Sequence, residues 1–323
     1  MNRTTTLILV VGLVFFGSVS LRIRSEMNRE HVVIAPMERP AAQPPADYVA
    51  NPVVAVEEMD SGPGRIISVA PSLTEILCAL GMRDRLIART PYCRYPPEVT
   101  DIETIGAIMD TNYERIKAIE PDLVLVTANS GRMIEDLQKL GIAYFAVSNE
   151  TLEDLYTAIE RIGERCDRPR TARALVQLIR FDIDRLTAQA RASRQTPMRV
   201  LISMGNLPIP AGPVFVAGPG LFFDEMLHRA GHVNAATGAV DAYQGELPIE
   251  KLTAIDPDAI IEFRNDINDQ TRQELYNAWS APGDLRAVRD QRIFTVGAKE
   301  WLSLGPRAAI LLHHMIEALS FSG

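Results

Sequence analysis

The 323-residue chain is long enough for two lobes of ordinary size, each burying its own core. A content of 47% hydrophobic and 23% charged residues excludes a mostly disordered protein. The net charge of −8 leaves no basic domain to bind a nucleic-acid backbone, and three scattered cysteines (Cys78, Cys93, Cys166) make neither a zinc site nor a disulfide framework.

In chain order, an apolar run from Leu7 to Leu21 follows Arg3, and Ser18-Val19-Ser20 offers a small-x-small cleavage pattern. Residues 1–21 read as an export signal or an uncleaved membrane anchor, so the body is expected in the periplasm or otherwise outside the cytoplasm. The run is not followed by a cysteine that could carry a lipid. Residues 22–64 hold Pro36, Pro40, Pro44, Pro45, Pro52 and Pro63 without apolar periodicity, and read as an extended linker.

An α/β lobe is expected over residues 65–150. Ile66–Ala70 reads as a strand, and Ser72-Leu73-Thr74-Glu75 has the capping-box form ahead of a helix stopped by Gly81. Arg85–Thr90, Leu123–Thr127 and Ala143–Val147 read as further strands, with a helix over Met133–Leu140, so a parallel sheet is expected. Residues 151–197 form a helical segment. Ala172, Leu175, Ile179, Ile183 and Leu186 mark one apolar stripe on a long helix from about Arg170 to Arg191.

Residues 198–323 repeat the first lobe. Glu114–Leu125 aligns with Glu250–Ile261 at an offset of 136, with identities at the Glu, Ala, Ile, Pro and Asp positions. Arg65–Ala70 matches Arg199–Met204 at an offset of 134. The expected fold class is therefore α/β: two similar α/β lobes joined by one long α-helix, with the ligand cleft between them.

Catalytic chemistry finds no support. His228 and His232 are spaced i, i+4, but no ligand set spans both lobes. Gly218-Pro219-Gly220 lacks the frame of a dinucleotide loop, GxSxG is missing, and Cys93 has no histidine near it in sequence. Neither a resident cofactor nor a metal is called for. Aromatics are better placed: Tyr92 and Tyr95 follow one strand, and Trp301 follows the strand Ile293–Val296 in the other lobe, so both could face a common cleft. Thr111-x-x-Glu114 also has the capping-box form, and Glu250 follows Pro248 at a helix start.

From Arg65 onward the chain resembles the periplasmic substrate-binding proteins of bacterial ABC importers for iron complexes and vitamin B12. Pro71-Ser72-Leu73-Thr74-Glu75-Ile76-Leu77, Tyr92-Cys93-Arg94-Tyr95-Pro96-Pro97 and Glu114–Asp122 carry the resemblance, which is strongest to the B12-binding branch. It implies a ligand-binding set of Ser72, Tyr92, Tyr95, Tyr243, Arg264, Glu300 and Trp301. It also implies that Glu114 and Glu250 meet arginines of the permease. Two tryptophans of that branch are replaced, by Ile108 and by Gln244 beside Tyr243. The implied ligand is a corrinoid, with an iron–siderophore or haem as the alternative and Arg94, Arg264 and Lys299 as anion partners. The implied partners are the permease and ATPase subunits. A membrane-anchored sensory or scaffold module with this fold is the competing reading, and an enzyme would need cleft Cys or His ligands that the sequence lacks.

Overall fold

A computed structural model describes residues 61–193, 196–204, 212–241, 243–264, 277–280, 284–297 and 304–320, all within one compact unit. The expected signal or anchor (1–21) and all but the end of the linker lie outside the described residues. Among the described residues, no helix is long and apolar enough to cross a membrane.

The first lobe is built on β1 (Ile66–Ser68), β2 (Leu86–Arg89), β5 (Leu123–Thr127) and β6 (Tyr144–Val147), in the order β2-β1-β5-β6 and all parallel. A parallel sheet is covered on both faces, and β1 and β5 are correspondingly buried along their whole length. Ile67, Val69, Val124 and Val126 pack with Ile116 and Met133 on one face. On the way from β2 to β5 the chain makes a small hairpin, β3 (Gly106–Ala107) and β4 (Asp110–Thr111), and then α2 (Tyr113–Ala118).

Both capping boxes expected here are corrected. Helix α1 (Pro71–Ala79) begins at Pro71, whose fixed φ suits the first helical position, and Ala70 precedes it without a side-chain cap. Ser72 therefore lies inside the first turn. Thr74 Oγ1 instead donates to Ser68 Oγ at 2.8 Å, and Glu75 turns to Arg307. In α2 the cap is Asn112, whose Oδ1 accepts from the Arg115 amide at 2.8 Å; Thr111 Oγ1 donates to the Ala107 carbonyl and closes the hairpin.

After β5 come α3 (Gly131–Lys139) and β6, and then a helical segment that is broken once. A Thr151–Asp154 capping box starts α4 (Leu152–Arg165), and the chain turns through Asp167 at φ 55° into α5 (Pro169–Ala192). Gly163 is where the two helices touch: a Cβ there would lie 2.3 Å from the Ala172 Cβ. At 1.5 Å per residue, α5 is about 36 Å long. It buries Ala172, Leu175, Ile179, Ile183 and Leu186, the expected stripe.

The second lobe holds β7 (Arg199–Met204), β8 (Val214–Ala217), α6 (Phe222–Ala230), β9 (Val233–Asn234), β10 (Gln244–Leu247), α7 (Ile249–Ile255), β11 (Ala259–Arg264), α8 (Arg286–Arg289), β12 (Ile293–Gly297) and α9 (Ala308–Ser320). Its sheet runs β10-β8-β7-β11-β12, with β9 beside β7. Strands β7, β11 and β12 are parallel, but β8 is antiparallel to both β7 and β10, so this sheet is mixed.

The repeat is structural down to single hydrogen bonds. Ile66 pairs with Leu123 in the first sheet, and Val200 pairs with Ala259 in the second, at the same offsets as in the sequence. Asp122 Oδ2 accepts the Arg65 amide at 2.9 Å, and Asp258 Oδ2 accepts the Arg199 amide at 2.8 Å. The Arg65 side chain donates to the Ile119 carbonyl and the Arg199 side chain to that of Ile255. Glu120 and Asp256, each ahead of the Pro-Asp pair, both take φ 44°. The shared Arg and Pro-Asp positions thus launch two neighbouring strands in register.

Candidate ligand-binding cleft

Because every strand of the first sheet is parallel, the segments that follow them collect at one end: Ala70–Ser72 after β1, the Tyr92 loop after β2, Ala128–Ser130 after β5 and Ser148–Asn149 after β6. Residues 103–105 run alongside Arg89 in the same direction, which brings the β3–β4 hairpin to that end too. The hairpin tip is apolar and open, with Met109 91% exposed.

The Tyr92 loop is held from below by Arg89, which is buried and donates to three backbone carbonyls. Its Nε donates to Val99 O and its Nη2 to Thr100 O, both at 2.6 Å, and its Nη1 to Thr90 O at 3.1 Å. These bonds fix both ends of the loop. Cys93 is buried beside Thr90, and burial pushes its thiol pKa up. Tyr92, between these anchors, is 58% exposed, a wide apolar ring turned to solvent. The peptide Tyr95–Pro96 is cis, and Tyr95 is half-buried with its ring centroid 4.0 Å under the Arg307 guanidinium. Arg94 is exposed. Ser72 is buried and accepts from Asn149 Nδ2 at 3.2 Å, so it belongs to the floor between two loops rather than to an open rim.

In the second lobe the corresponding end is the one at which parallel β7, β11 and β12 finish. Glu300, Trp301 and Lys299 lie outside the described residues. Tyr243 is described and 46% exposed, and the strand register gives its level. Its carbonyl accepts from Gly218, beyond the end of antiparallel β8, and Ser203 pairs with Val216. Tyr243 thus stands level with the middle of β7, about 10 Å from that strand's C-terminal end at roughly 3.3 Å per residue. Its ring packs on Gly220, where φ is +83° and a Cβ would come within 3.0 Å.

Arg264 does close β11 at the cleft end, and it shows what the sequence reading missed. Its Nη1 donates at 3.2 Å to Oε1 of Glu262, a carboxylate with no exposed surface. Trp279 Nε1, equally buried, donates to Glu262 Oε2 at 2.6 Å. Burial pushes the Glu262 carboxyl up to about 7, against the opposing pull of Trp279 and Arg264. Ser203, its partner across the strands, buries an Oγ with no hydrogen bond among the described residues. The signal was present: Ala259-Ile-Ile-Glu-Phe263 sets an acid in the middle of an apolar strand.

Glu114 and Glu250 are exposed in the first turns of α2 and α7, the two helices the repeat equates. Each helix enters from the cleft end of its sheet. Neither glutamate caps a helix through its side chain.

Two α/β lobes, each built on parallel strands started in the same register, have the architecture of a solute-binding body. Residues 66–300 match the periplasmic binding protein family, and the chain belongs to it. It is an extracytoplasmic solute-binding protein of the kind that serves ABC importers, and it is not an enzyme. It is 28% identical over 263 residues to an uncharacterized ABC transporter substrate-binding lipoprotein of Bacillus subtilis (strain 168), covering 80% of each chain. A vitamin B12-binding protein of Vibrio cholerae is 27% identical over 241 residues, 74% of this chain and 82% of that one. The solved structure of a periplasmic haem-binding protein from Pseudomonas aeruginosa superposes with a TM-score of 0.68 at 27% identity, covering 79% of this chain and 92% of the other.

Proposed function

We propose that the protein captures a large planar metal chelate, a corrinoid first, and delivers it to a membrane permease with its ATPase. The carrying observation is Tyr92: a mostly exposed ring on a loop that buried Arg89 fixes at both ends. A flat apolar face on a loop anchored at the strand ends suits stacking on a macrocycle, because the loop needs little ordering on binding and a tyrosine has few rotors. Ile108 and Met109 extend that apolar rim on the hairpin. Tyr95 and Ser72 support the loops, and Arg264, Glu300 and Trp301 supply the second lobe's side. The 27% identity to a vitamin B12-binding protein supports the corrinoid.

Haem or an iron–siderophore is the second reading, favoured by the likeness to the haem-binding structure and by Arg264 as an anion partner. Glu114 and Glu250, exposed and equivalent by the repeat, would each meet a basic patch of a two-fold permease. The N-terminal segment would export the body and either leave it free or anchor it.

The test is an ultraviolet–visible titration of the full chain with cobinamide, cobalamin, haemin and ferric siderophores. A saturating shift with cobinamide or cobalamin is expected. Saturation with haemin or a siderophore alone moves the ligand to the second reading, and silence from all four contradicts chelate capture.

A further inference from the structure

The two lobes meet at a buried ion pair whose partners stand 232 residues apart in the chain. Glu75 belongs to α1 of the first lobe and Arg307 to the turn ahead of α9 in the second, and they are 4% and 5% exposed. The pairing is two-pronged, Nε to Oε2 at 3.0 Å and Nη2 to Oε1 at 2.5 Å. The Tyr95 ring lies under the guanidinium at 4.0 Å. Gly305 makes the approach possible: a Cβ there would sit 3.1 Å from Glu75 Oε2 and 3.5 Å from the Ser72 Cα.

A pair this dry is a poor source of stability, because desolvating both charges offsets their attraction. What it does supply is geometry, since a planar fork meets a carboxylate in few orientations. Its neighbours give that geometry a use. Tyr95 is three residues from Tyr92, and Gly305 follows directly on the segment holding Glu300 and Trp301. A second tie lies at the entry to α4, where Leu152 N donates to Glu225 Oε2 and Phe222 N to the Glu150 carbonyl, both at 2.8 Å.

We propose that Arg307 is a positioning residue: with Glu75 and Tyr95 it clasps the lobes together and fixes the cleft width before any ligand arrives. The proposal extends the reading that the Tyr92 loop faces the ligand, but its test needs no ligand. Spin labels go on Lys117→Cys and Thr253→Cys, exposed sites equated by the repeat on α2 and α7. Native thiols interfere little, because burial raises all three and holds Cys78 at about 12 and Cys166 at about 11.

The full chain is expected to give one narrow interlobe distance distribution. The double variant Glu75→Leu with Arg307→Met replaces the pair by apolar groups of similar size, which preserves stability. It is expected to lose the narrow maximum while keeping the wild-type melting temperature, a split that a purely structural pair does not produce. Gly305→Ala, which pushes a methyl at Glu75 and keeps both charges, serves if the double variant does not fold and is expected to broaden the distribution as well. An unchanged narrow distribution in either folded variant overturns the proposal.

Discussion

The two lobes share a frame and differ in what they bury. In both, an arginine and a Pro-Asp pair start two parallel strands in the same register. Two residues further along β5 and β11 than the matched core pair Val124 and Ile260, the first lobe carries Val126 and the second Glu262. Val126 sits in a wholly apolar cluster, whereas Glu262 is held by Trp279 and Arg264. The strand beside each first strand differs too, β2 being parallel and β8 antiparallel. Where strands begin, the repeat is preserved; at this matched position, one strand is apolar and the other ionisable.

The comparison breaks most severely by carrying the second lobe's chemistry into the first. Val126→Glu puts a carboxylate into the apolar cluster of Ile67, Val124 and Met133. Burying an unpaired charge costs at least several kcal/mol, so the first lobe is expected not to fold at neutral pH. Loss of the cooperative transition in denaturant titration checks this. A stable Val126→Glu protein would show that the two clusters are interchangeable.

The reverse manipulation is milder and depends on pH. Glu262 has a folded pKa raised to about 7, so the folded state holds its proton more tightly than the unfolded one. Its favourable contribution is present below the unfolded value, about 4.3, and is lost as pH rises through about 7. Glu262→Gln keeps an acceptor for Trp279 and removes the ionisation. The stability of the variant relative to wild type is therefore expected to rise by about 2–4 kcal/mol between pH 5 and pH 8. Paired denaturant titrations at those two pH values measure it, and parallel curves contradict it.

The smallest stability effect is expected where the lobes agree. Glu114→Arg with Glu250→Arg changes two exposed side chains, so stability should move by less than about 0.5 kcal/mol each. Ligand affinity in solution should be unchanged, while uptake by cells should be lost, because charge pairs at a docking surface set orientation and on-rate. Normal uptake by a stably expressed double variant rules out the docking role.

The frame was legible because repetition is written in the sequence: Glu114–Leu125 and Glu250–Ile261 display it without a fold. The long helix was legible from its stripe, and it starts at Pro169, one residue before the expected Arg170. Local motifs misled where a neighbour outcompeted them, as Pro71 did Ser72 and Asn112 did Thr111. Contacts between distant segments left no local trace. Glu75 reads as a capping glutamate until Arg307 is brought beside it, and Glu262 reads as an oddity until Trp279 folds over it. The level of Tyr243 in its sheet was not legible, because the direction of β8 that sets it is not encoded in an apolar pattern.

The account rests on Tyr92 as the first lobe's ligand platform, and the direct measurement is the affinity of Tyr92→Ala beside its melting temperature. Calorimetry of the full chain with the chelate that shifts its spectrum should show a loss of roughly 1–3 kcal/mol, about 5- to 150-fold, with melting unchanged. An unchanged affinity with a lowered melting temperature would mean that the exposed ring serves the loop and not the ligand.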